Sequence, residues 1–209
     1  MQDYKIKLKG LINELKLKGI YDKKVLNAIE KTPRHLFVPI DLQEEAYGDY
    51  PLPLLKGQTI SQPYTVAFML QKLNLKKGLK VLEVGTGSGW NVALIAQIIK
   101  PTTVYTTEII PDLVKLATNN IKKVKIKNIK IFKKDGSKGL KQYAPFDRII
   151  FTAAAQSIPK KILSQLKDNG VMLVPVGQLY GQKMLRLTKK GKEIKQEYLG
   201  DFVFVPLKH

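Results

Sequence analysis

Cysteine is absent from this chain of 209 residues, and histidine occurs only twice, at His35 and His209. The lack of thiols excludes disulfide bonds, thiolate metal sites and a cysteine nucleophile. Two histidines are too few for a histidine-rich metal centre. We therefore expect no metal cofactor.

Long apolar runs are also missing, and no stretch is long enough to span a membrane. The N-terminal sequence interleaves lysine with Ile and Leu, which is typical of an amphipathic helix rather than a signal peptide. Its apolar residues share one helical face, and we expect the helix to end at Gly19. We expect a cytoplasmic protein without a membrane partner.

Negative charge is scarce, since 17 Asp and Glu residues stand against 36 Lys and Arg, giving a net charge of +19. Such a charge attracts polyanions non-specifically and raises the hypothesis of nucleic-acid binding. An excess of lysine without cysteine is also typical of thermophilic proteins. We favour the second interpretation and expect no stable nucleic-acid partner.

The segment Lys80–Ala96, KVLEVGTGSGWNVALIA, organises the rest of the chain. An apolar run leads into three glycines and then into apolar residues at helical spacing, which predicts a strand, a tight turn and a helix. Glycines let the backbone approach a ligand, and the helix N-terminus offers free N–H groups. Trp90 replaces the third glycine of a dinucleotide fingerprint, so a nucleoside with a small polar tail fits better than NAD.

Two acidic residues stand at the ends of the next predicted strands. Glu108 is placed to accept hydrogen bonds from both ribose hydroxyls of a nucleoside, or else it caps a helix or is solvated. Asp135, followed by Gly136, is placed to accept the adenine amino group, or else forms an ordinary Asp-Gly turn. Ser61 precedes a predicted helix from Pro63 to about Leu73, so it is either the N-cap or a ligand contact.

Strands alternate with helices from Leu79 to Val176, which predicts an α/β fold with a mainly parallel sheet. One of these helices is predicted at Ile162–Leu166. Met184–Leu187 and Phe202–Val205 are predicted to form a closing antiparallel pair. The proline-bracketed segment TPRHLFVP is predicted to be extended.

Nearly the whole chain resembles the protein-L-isoaspartate O-methyltransferase family, which depends on S-adenosylmethionine (AdoMet). The resemblance is carried by TPRHLFVP, GQTISQPYTVA, VLEVGTGSGWN, KDGSKGL, APFDRIIFTAAA, IPKKILSQLKDNG, LVPVG and FVFVPL. The glycine motif occurs in many methyltransferases, whereas GQTISQP together with PRHLFVP is much more specific. The resemblance implies a Rossmann-like, seven-stranded, mainly parallel sheet with an antiparallel C-terminal strand pair and an N-terminal helical lid. We expect one domain over residues 1–209, with the lid in 1–75 and the core in 76–209.

The resemblance further implies that the chain methylates the α-carboxyl group of L-isoaspartyl residues in damaged proteins, leaving S-adenosyl-L-homocysteine. Its partners would be isoaspartyl peptides and age-damaged proteins. A carboxylate with a pKa of about 4 is ionised at neutral pH. This reaction therefore needs no general base, and catalysis should rest on alignment and desolvation of the reactants.

The family pattern assigns three sets of site residues. The catalytic residue is Ser61, and the substrate-binding residues are Thr59, Ile60, Ser61 and Tyr64. The cofactor-binding residues are Thr59, Ser61, Gly85, Thr86, Gly87, Ser88, Gly89, Glu108, Ile109, Asp135 and Gly136. One departure is Lys134, which stands where many members of the family carry glycine.

Two other functions compete with this assignment. An RNA or DNA methyltransferase acting on a base amine usually carries an N/D-P-P-Y/F loop after the fourth strand, where this chain reads Thr152–Ala155, TAAA. Methylation of pyrimidine C5 needs a thiol, which is absent. The other alternative is a non-catalytic AdoMet-binding or scaffold protein, which the intact hydroxyl-rich loop disfavours.

Overall fold

The computed structural model describes residues 2–178 and 181–209. In chain order its strands are β1 (Leu52–Pro53), β2 (Thr59–Ile60), β3 (Val81–Val84), β4 (Val104–Glu108), β5 (Ile129–Lys133), β6 (Phe146–Phe151), β7 (Leu166–Gln178), β8 (Gly181–Lys190) and β9 (Glu193–Phe202). Its helices are α1 (Gln2–Leu17), α2 (Lys23–Lys31), α3 (Pro63–Leu73), α4 (Trp90–Ile99), α5 (Pro111–Lys123) and α6 (Lys160–Leu163).

Seven strands form the main sheet in the order β5-β4-β3-β6-β7-β8-β9. The first five in this order pair in parallel, and β8 and β9 are added antiparallel. The predicted fold class is therefore confirmed. Strands β1 and β2 form a separate antiparallel pair beside the main sheet.

The centre of the sheet is buried on both faces, as parallel strands covered by helices must be. All four residues of β3 are buried, and α4 buries eight of its ten residues, packing mainly on α2 and β4. The N-terminal helices share this core, because Leu15 of α1 and Ile29 of α2 belong to the same apolar cluster as Val81. Within residues 2–178 and 181–209, no helix has the length and apolar character needed to cross a membrane.

The helix ends follow the sequence with one exception. Asp22 caps α2 by accepting the Lys24 N–H at 2.9 Å, as an N-cap aspartate should. Of the two alternatives for Ser61, the N-cap is contradicted, because the N-cap of α3 is Gln62, whose side chain accepts no backbone N–H of the first turn. The remote Asp49 carboxylate accepts the Tyr64 N–H at 2.7 Å instead. The Ser61 hydroxyl is therefore not used to start the helix.

Three predicted segments differ from the structure. The TPRHLFVP segment is not extended throughout, since a 3₁₀ turn at Arg34–Phe37 lets Phe37 and Arg34 both point inward. Helix α6 ends at Leu163, whereas the sequence predicts a helix up to Leu166. The carbonyl of Gln165 instead accepts the N–H of Phe146, the first residue of β6.

The third difference is in the closing antiparallel pair. Its outer strand is β9, which ends at Phe202, so that the following residues leave the sheet rather than extend it. Their N–H and C=O groups are satisfied elsewhere, since Val205 O accepts the Ala154 N–H at 2.8 Å. This detour places the segment 203–207 over the carboxyl ends of the parallel strands.

Candidate active site

The site lies where β3, β4 and β6 end, because the carboxyl ends of parallel strands meet at one edge of a sheet. The glycine turn after β3 is anchored to its neighbour, since the Gly85 and Thr86 N–H groups both donate to Thr107 O at 3.0 and 3.1 Å. Thr152 follows β6 and donates its hydroxyl to Gly85 O at 2.5 Å. The backbone of β4 and the Thr152 side chain after β6 therefore fix the turn that follows β3.

Glycine is required at positions 85 and 87 of this turn for different physical reasons. Gly85 has a φ of +100°, and a Cβ there would collide with Thr152 Oγ1. Gly87 has a φ of +55°, and a Cβ there would meet no atom within 4 Å, because the position faces open space. A ligand can thus approach the backbone at Gly87 directly.

Glu108 ends β4 with its carboxylate oriented by backbone donors. Oε2 accepts the Gly87 N–H at 2.9 Å, while Oε1 accepts the Ile109 and Ile110 N–H groups at 2.9 and 3.0 Å. The residue is 7% exposed. A carboxylate has about four acceptor positions, so one remains for a ligand hydroxyl while the turn is held in place.

These groups open on one cavity, which we call the cofactor cleft. The predicted site residues that line it are Thr59, Ile60, Ser61, Gly85, Thr86, Gly87, Ser88, Glu108, Ile109 and Gly136. Gly89 does not line it, and a Cβ there would lie 3.3 Å from Ala117, so this glycine lets α4 and α5 approach. Asp135 does not line it either, since its carboxylate accepts the Ser137 N–H at 2.9 Å and caps a short turn.

A second cavity, the outer cleft, adjoins the first and contains the predicted substrate residue Tyr64. It is bordered by Lys18 from the N-terminal region, by Phe68 of α3 and by the segment 199–205. The residues that line both cavities are Thr59, Ser61, Thr152, Phe204 and Val205. Half-buried Ser61 therefore stands in the wall between two cavities, within reach of a ligand on either side.

Sequence reasoning missed the C-terminal contribution to this wall. The segment is held by two backbone bonds to Ala154, from Ala154 N–H to Val205 O and from Leu207 N–H to Ala154 O at 2.9 Å. The Gln182 Oε1 accepts the Phe204 N–H at 2.7 Å and fixes its start. No local pattern predicts such contacts, because each joins residues far apart in sequence.

A fully buried carboxyl group beneath the glycine turn was missed as well. Glu83 accepts hydrogen bonds from Asn91 Nδ2 at 2.8 Å and from Thr106 Oγ1 at 2.5 Å. Burial raises the pKa of Glu83 to about 8, and the nearby Glu108 carboxylate adds to this effect. The signal was present, since an acid inside the apolar run VLEV of a central strand must be hydrogen bonded.

The chain's own groups fit AdoMet. Gly87 leaves room beside its backbone, and Glu108 offers an acceptor for a ribose hydroxyl. Asn91 also lines the cofactor cleft, and its buried Oδ1 has no hydrogen-bond partner among the described residues. This acceptor suits an ammonium group such as the one at the methionine end of AdoMet. Among the described residues, no cluster of three or more His, Cys, Asp or Glu could hold a metal ion.

The fold and the site together define the class of AdoMet-dependent methyltransferases with a Rossmann-like sheet. A solved Plasmodium falciparum structure, described as a protein-L-isoaspartate O-methyltransferase in complex with S-adenosyl-L-homocysteine, superposes with a TM-score of 0.84 at 31% identity. The match covers 96% of this chain and 97% of that one. A precorrin-6y methyltransferase from Geobacter metallireducens, with a TM-score of 0.54 at 18% identity, shares the fold over 74% of this chain and 90% of its own.

Sequence comparison gives the family. The model of the protein-L-isoaspartate(D-aspartate) O-methyltransferase family matches residues 6–209. The protein-L-isoaspartate O-methyltransferase of Fervidobacterium nodosum is 46% identical over 94% of this chain and 99% of its own length. That of Pyrococcus horikoshii is 46% identical over 96% and 92%. The chain belongs to the protein-L-isoaspartate(D-aspartate) O-methyltransferase family, as its sequence motifs predicted.

Proposed function

We propose that this chain transfers the methyl group of AdoMet to the α-carboxyl group of L-isoaspartyl residues in damaged proteins, with Ser61 as the residue that orients the carboxylate. One observation carries the assignment of Ser61, namely its place in the wall between the cofactor cleft and the outer cleft. Methyl transfer needs two ligands that meet, and this wall is where ligands in the two cavities would come together.

AdoMet, when bound, supplies an electrophilic methyl group on a sulfonium. The chain's residues have only to bind, orient and desolvate, because an ionised carboxylate needs no base to attack. Glu108 and the Gly87 backbone hold the nucleoside end. Thr59 and Ser61 present hydroxyls to the incoming carboxylate, and Phe204 and Val205 help to exclude water from the junction.

The remaining assignments of the site are part of the same proposal. Thr86, Ser88, Ile109 and Gly136 contact the cofactor, while Ile60 and Tyr64 contact the substrate. Asp135 caps a short turn and does not border the cofactor cleft, so we regard its capping role as primary and its contact with the adenine as secondary. We also propose that residues 1–209 form one domain, supported by the apolar cluster that the lid and the sheet share; Met1 lies outside the described residues. A cytoplasmic location stays our expectation.

The test of Ser61 uses Ser61→Ala and Ser61→Gly, which remove the hydroxyl. Because Ser61 is not the N-cap of α3, neither substitution should destabilise the protein by removing a cap. We expect kcat/KM for an isoaspartyl peptide to fall at least about tenfold, as for the loss of one oriented hydrogen bond to a charged group. The matched control is Ser164→Gly, since Ser164 borders neither cleft and only donates to Lys161 O. Wild-type kcat/KM in Ser61→Gly would refute the role of Ser61.

A second experiment tests the substrate class. An isoaspartyl peptide, its aspartyl twin and bulk tRNA are each offered with labelled AdoMet. The isoaspartyl linkage relocates the carboxylate along the backbone, so a site built for it should methylate the twin at least tenfold more slowly, the scale of one misplaced contact. Equal rates on the twins would indicate a general carboxyl methyltransferase, and incorporation into tRNA would favour the nucleic-acid alternative.

A further inference from the structure

Arg34 is the one arginine of the TPRHLFVP segment, and its guanidinium is buried at 1% exposure. It donates to three backbone carbonyls, those of Ala46 at 2.7 Å, Tyr50 at 3.2 Å and Ser61 at 3.1 Å. None of the ion pairs among the described residues includes it. The guanidinium therefore joins three separate segments through neutral acceptors.

A buried cation without an ion pair is unfavourable for stability, and here the attraction of the Asp49 carboxylate, which pairs with Lys18 instead, is smaller than the effect of desolvation. Burial lowers the pKa of Arg34 to about 10, so the side chain is still charged at neutral pH. Apolar residues of similar volume often stabilise such positions better than a charge does. A charged group kept here calls for a role other than packing.

The geometry of the contacts connects Arg34 to the reaction junction. Arg34 Nη2 donates to the backbone carbonyl of Ser61, the residue whose side chain stands in the wall shared by the two clefts. On the other side, the guanidinium carbon lies 5.4 Å from the centroid of the Trp90 ring, and Trp90 lines the cofactor cleft. One rigid planar group thus contacts both the Ser61 peptide and a wall of the cofactor cleft.

We propose that Arg34 is a positioning residue, which fixes the Ser61 peptide relative to the cofactor cleft so that the hydroxyl faces the junction. This inference rests on the proposed role of Ser61. Lysine could not replace it, because a single ammonium nitrogen cannot span the carbonyls of Ala46, Tyr50 and Ser61 in the way a planar guanidinium does. The residue after Ser61 is also held in place, since Gln62 Nε2 donates to Asp49 O at 3.0 Å.

A matched control exists at the opposite end of α3. Arg148 is also partly buried and donates to backbone carbonyls, those of Leu73 at 2.8 Å and Asp147 at 2.7 Å. It borders neither cleft. Replacing either arginine therefore removes comparable bonds to α3 or its flank, but only Arg34 reaches the junction.

The experiment measures Arg34→Lys, Arg34→Gln and Arg148→Lys, each alone and combined with Ser61→Ala. Steady-state kinetics with an isoaspartyl peptide are run below every melting temperature, and calorimetry gives the affinity for S-adenosyl-L-homocysteine. We expect both Arg34 variants to lower kcat about tenfold or more, as a small misplacement of a reacting geometry does. Affinity for S-adenosyl-L-homocysteine should change less than threefold, and Arg148→Lys should keep kcat within twofold. In the Ser61→Ala background, replacing Arg34 should lower kcat less than twofold.

Two results would overturn the inference alone: Arg34 variants with wild-type kcat, or the same loss of kcat with and without the Ser61 hydroxyl. A wild-type kcat in Ser61→Ala itself would overturn both the role of Ser61 and the inference built on it. Measuring Lys and Gln in parallel keeps the test valid if one variant fails to fold. It also separates geometry from charge, because Lys would restore kcat if only the charge mattered.

Discussion

At the scale of single residues, two neighbouring glutamates show how the environment of a carboxyl group determines its role. Glu108 is at the rim of the cofactor cleft with its oxygens directed by three N–H donors. Glu83 lies beneath the turn, fully buried and bonded to Thr106 and Asn91. We expect the first to act on the ligand and the second on the protein.

Replacing Glu108 by Ala should weaken AdoMet binding by about 1–3 kcal/mol, the range for losing a hydrogen bond to a charged group. Glu108→Gln is the companion variant, because it keeps an acceptor for the Ile109 and Ile110 N–H groups. Calorimetry on folded protein measures both. Unchanged affinity in Glu108→Ala would remove the ribose assignment.

The raised pKa of Glu83 predicts how stability depends on pH. Since the folded pKa is about 8 and the ordinary value is 4.5, the folded protein binds one more proton between these values. The contribution of this group is therefore fully present below pH 4.5 and is lost as the pH rises towards 8, by at most about 1.4 kcal/mol per pH unit.

Glu83→Gln imitates the protonated carboxyl and should remove that loss. Thr106 can accept from the new amide by rotating its hydroxyl towards Thr86, which lies at 2.7 Å. Denaturant unfolding at pH 5 and at pH 8 should show the variant gaining stability relative to the wild type as the pH rises. A constant difference between the two proteins would contradict the raised pKa.

At the scale of elements, α3 begins with help from a distant residue. The Asp49 carboxylate is 3% exposed, caps the Tyr64 N–H, and pairs with Lys18 at 2.6 Å. Asp49→Ala should lower the free energy of unfolding by about 1–2 kcal/mol, the upper part of the range for a lost cap.

Asp22→Ala, which removes the more exposed cap of α2, is the matched control and should cost less. Asp49→Asn keeps an acceptor for the Tyr64 N–H but loses the ion pair with Lys18 and the Gln62 bond to Oδ2, so its stability should lie between those of the wild type and Asp49→Ala. Thermal unfolding of the three variants ranks these effects. An Asp49→Ala protein as stable as the wild type would show that the cap is dispensable.

Sequence patterns predicted elements well where the signal was local. The glycine turn, the Asp22 cap and the strands from Val81 to Val176 follow from periodicity and turn chemistry. Local patterns were insufficient where a remote group decided the outcome. Asp49, and not the alternative cap Ser61, accepts an N–H at the start of α3. The predicted helix up to Leu166 ends early, and Gln165 O accepts the N–H of the distant Phe146. The junction itself was only half predictable, because its other half is supplied by residues 203–207.

At the scale of the whole molecule, a net charge of +19 should serve solubility more than catalysis. Exposed charges farther apart than about 8 Å are largely screened at physiological salt. The rate of methylation of an isoaspartyl peptide with zero net charge should therefore change less than about threefold between 50 and 300 mM salt. Initial rates at both concentrations measure this. Steep salt dependence of that reaction would assign the lysines a part in recruiting substrate.

The segment that closes both clefts follows β9, so it is synthesised after every strand of the main sheet. Its anchors, Ala154 and Gln182, precede it by many residues, and the antiparallel pairing of β8 and β9 leads the chain back to them. A ribosome-bound chain can thus fold its glycine turn and its central strands while the junction is still open on one side. Competence for methyl transfer is consequently gained only once the segment 203–207 has left the ribosome and docked.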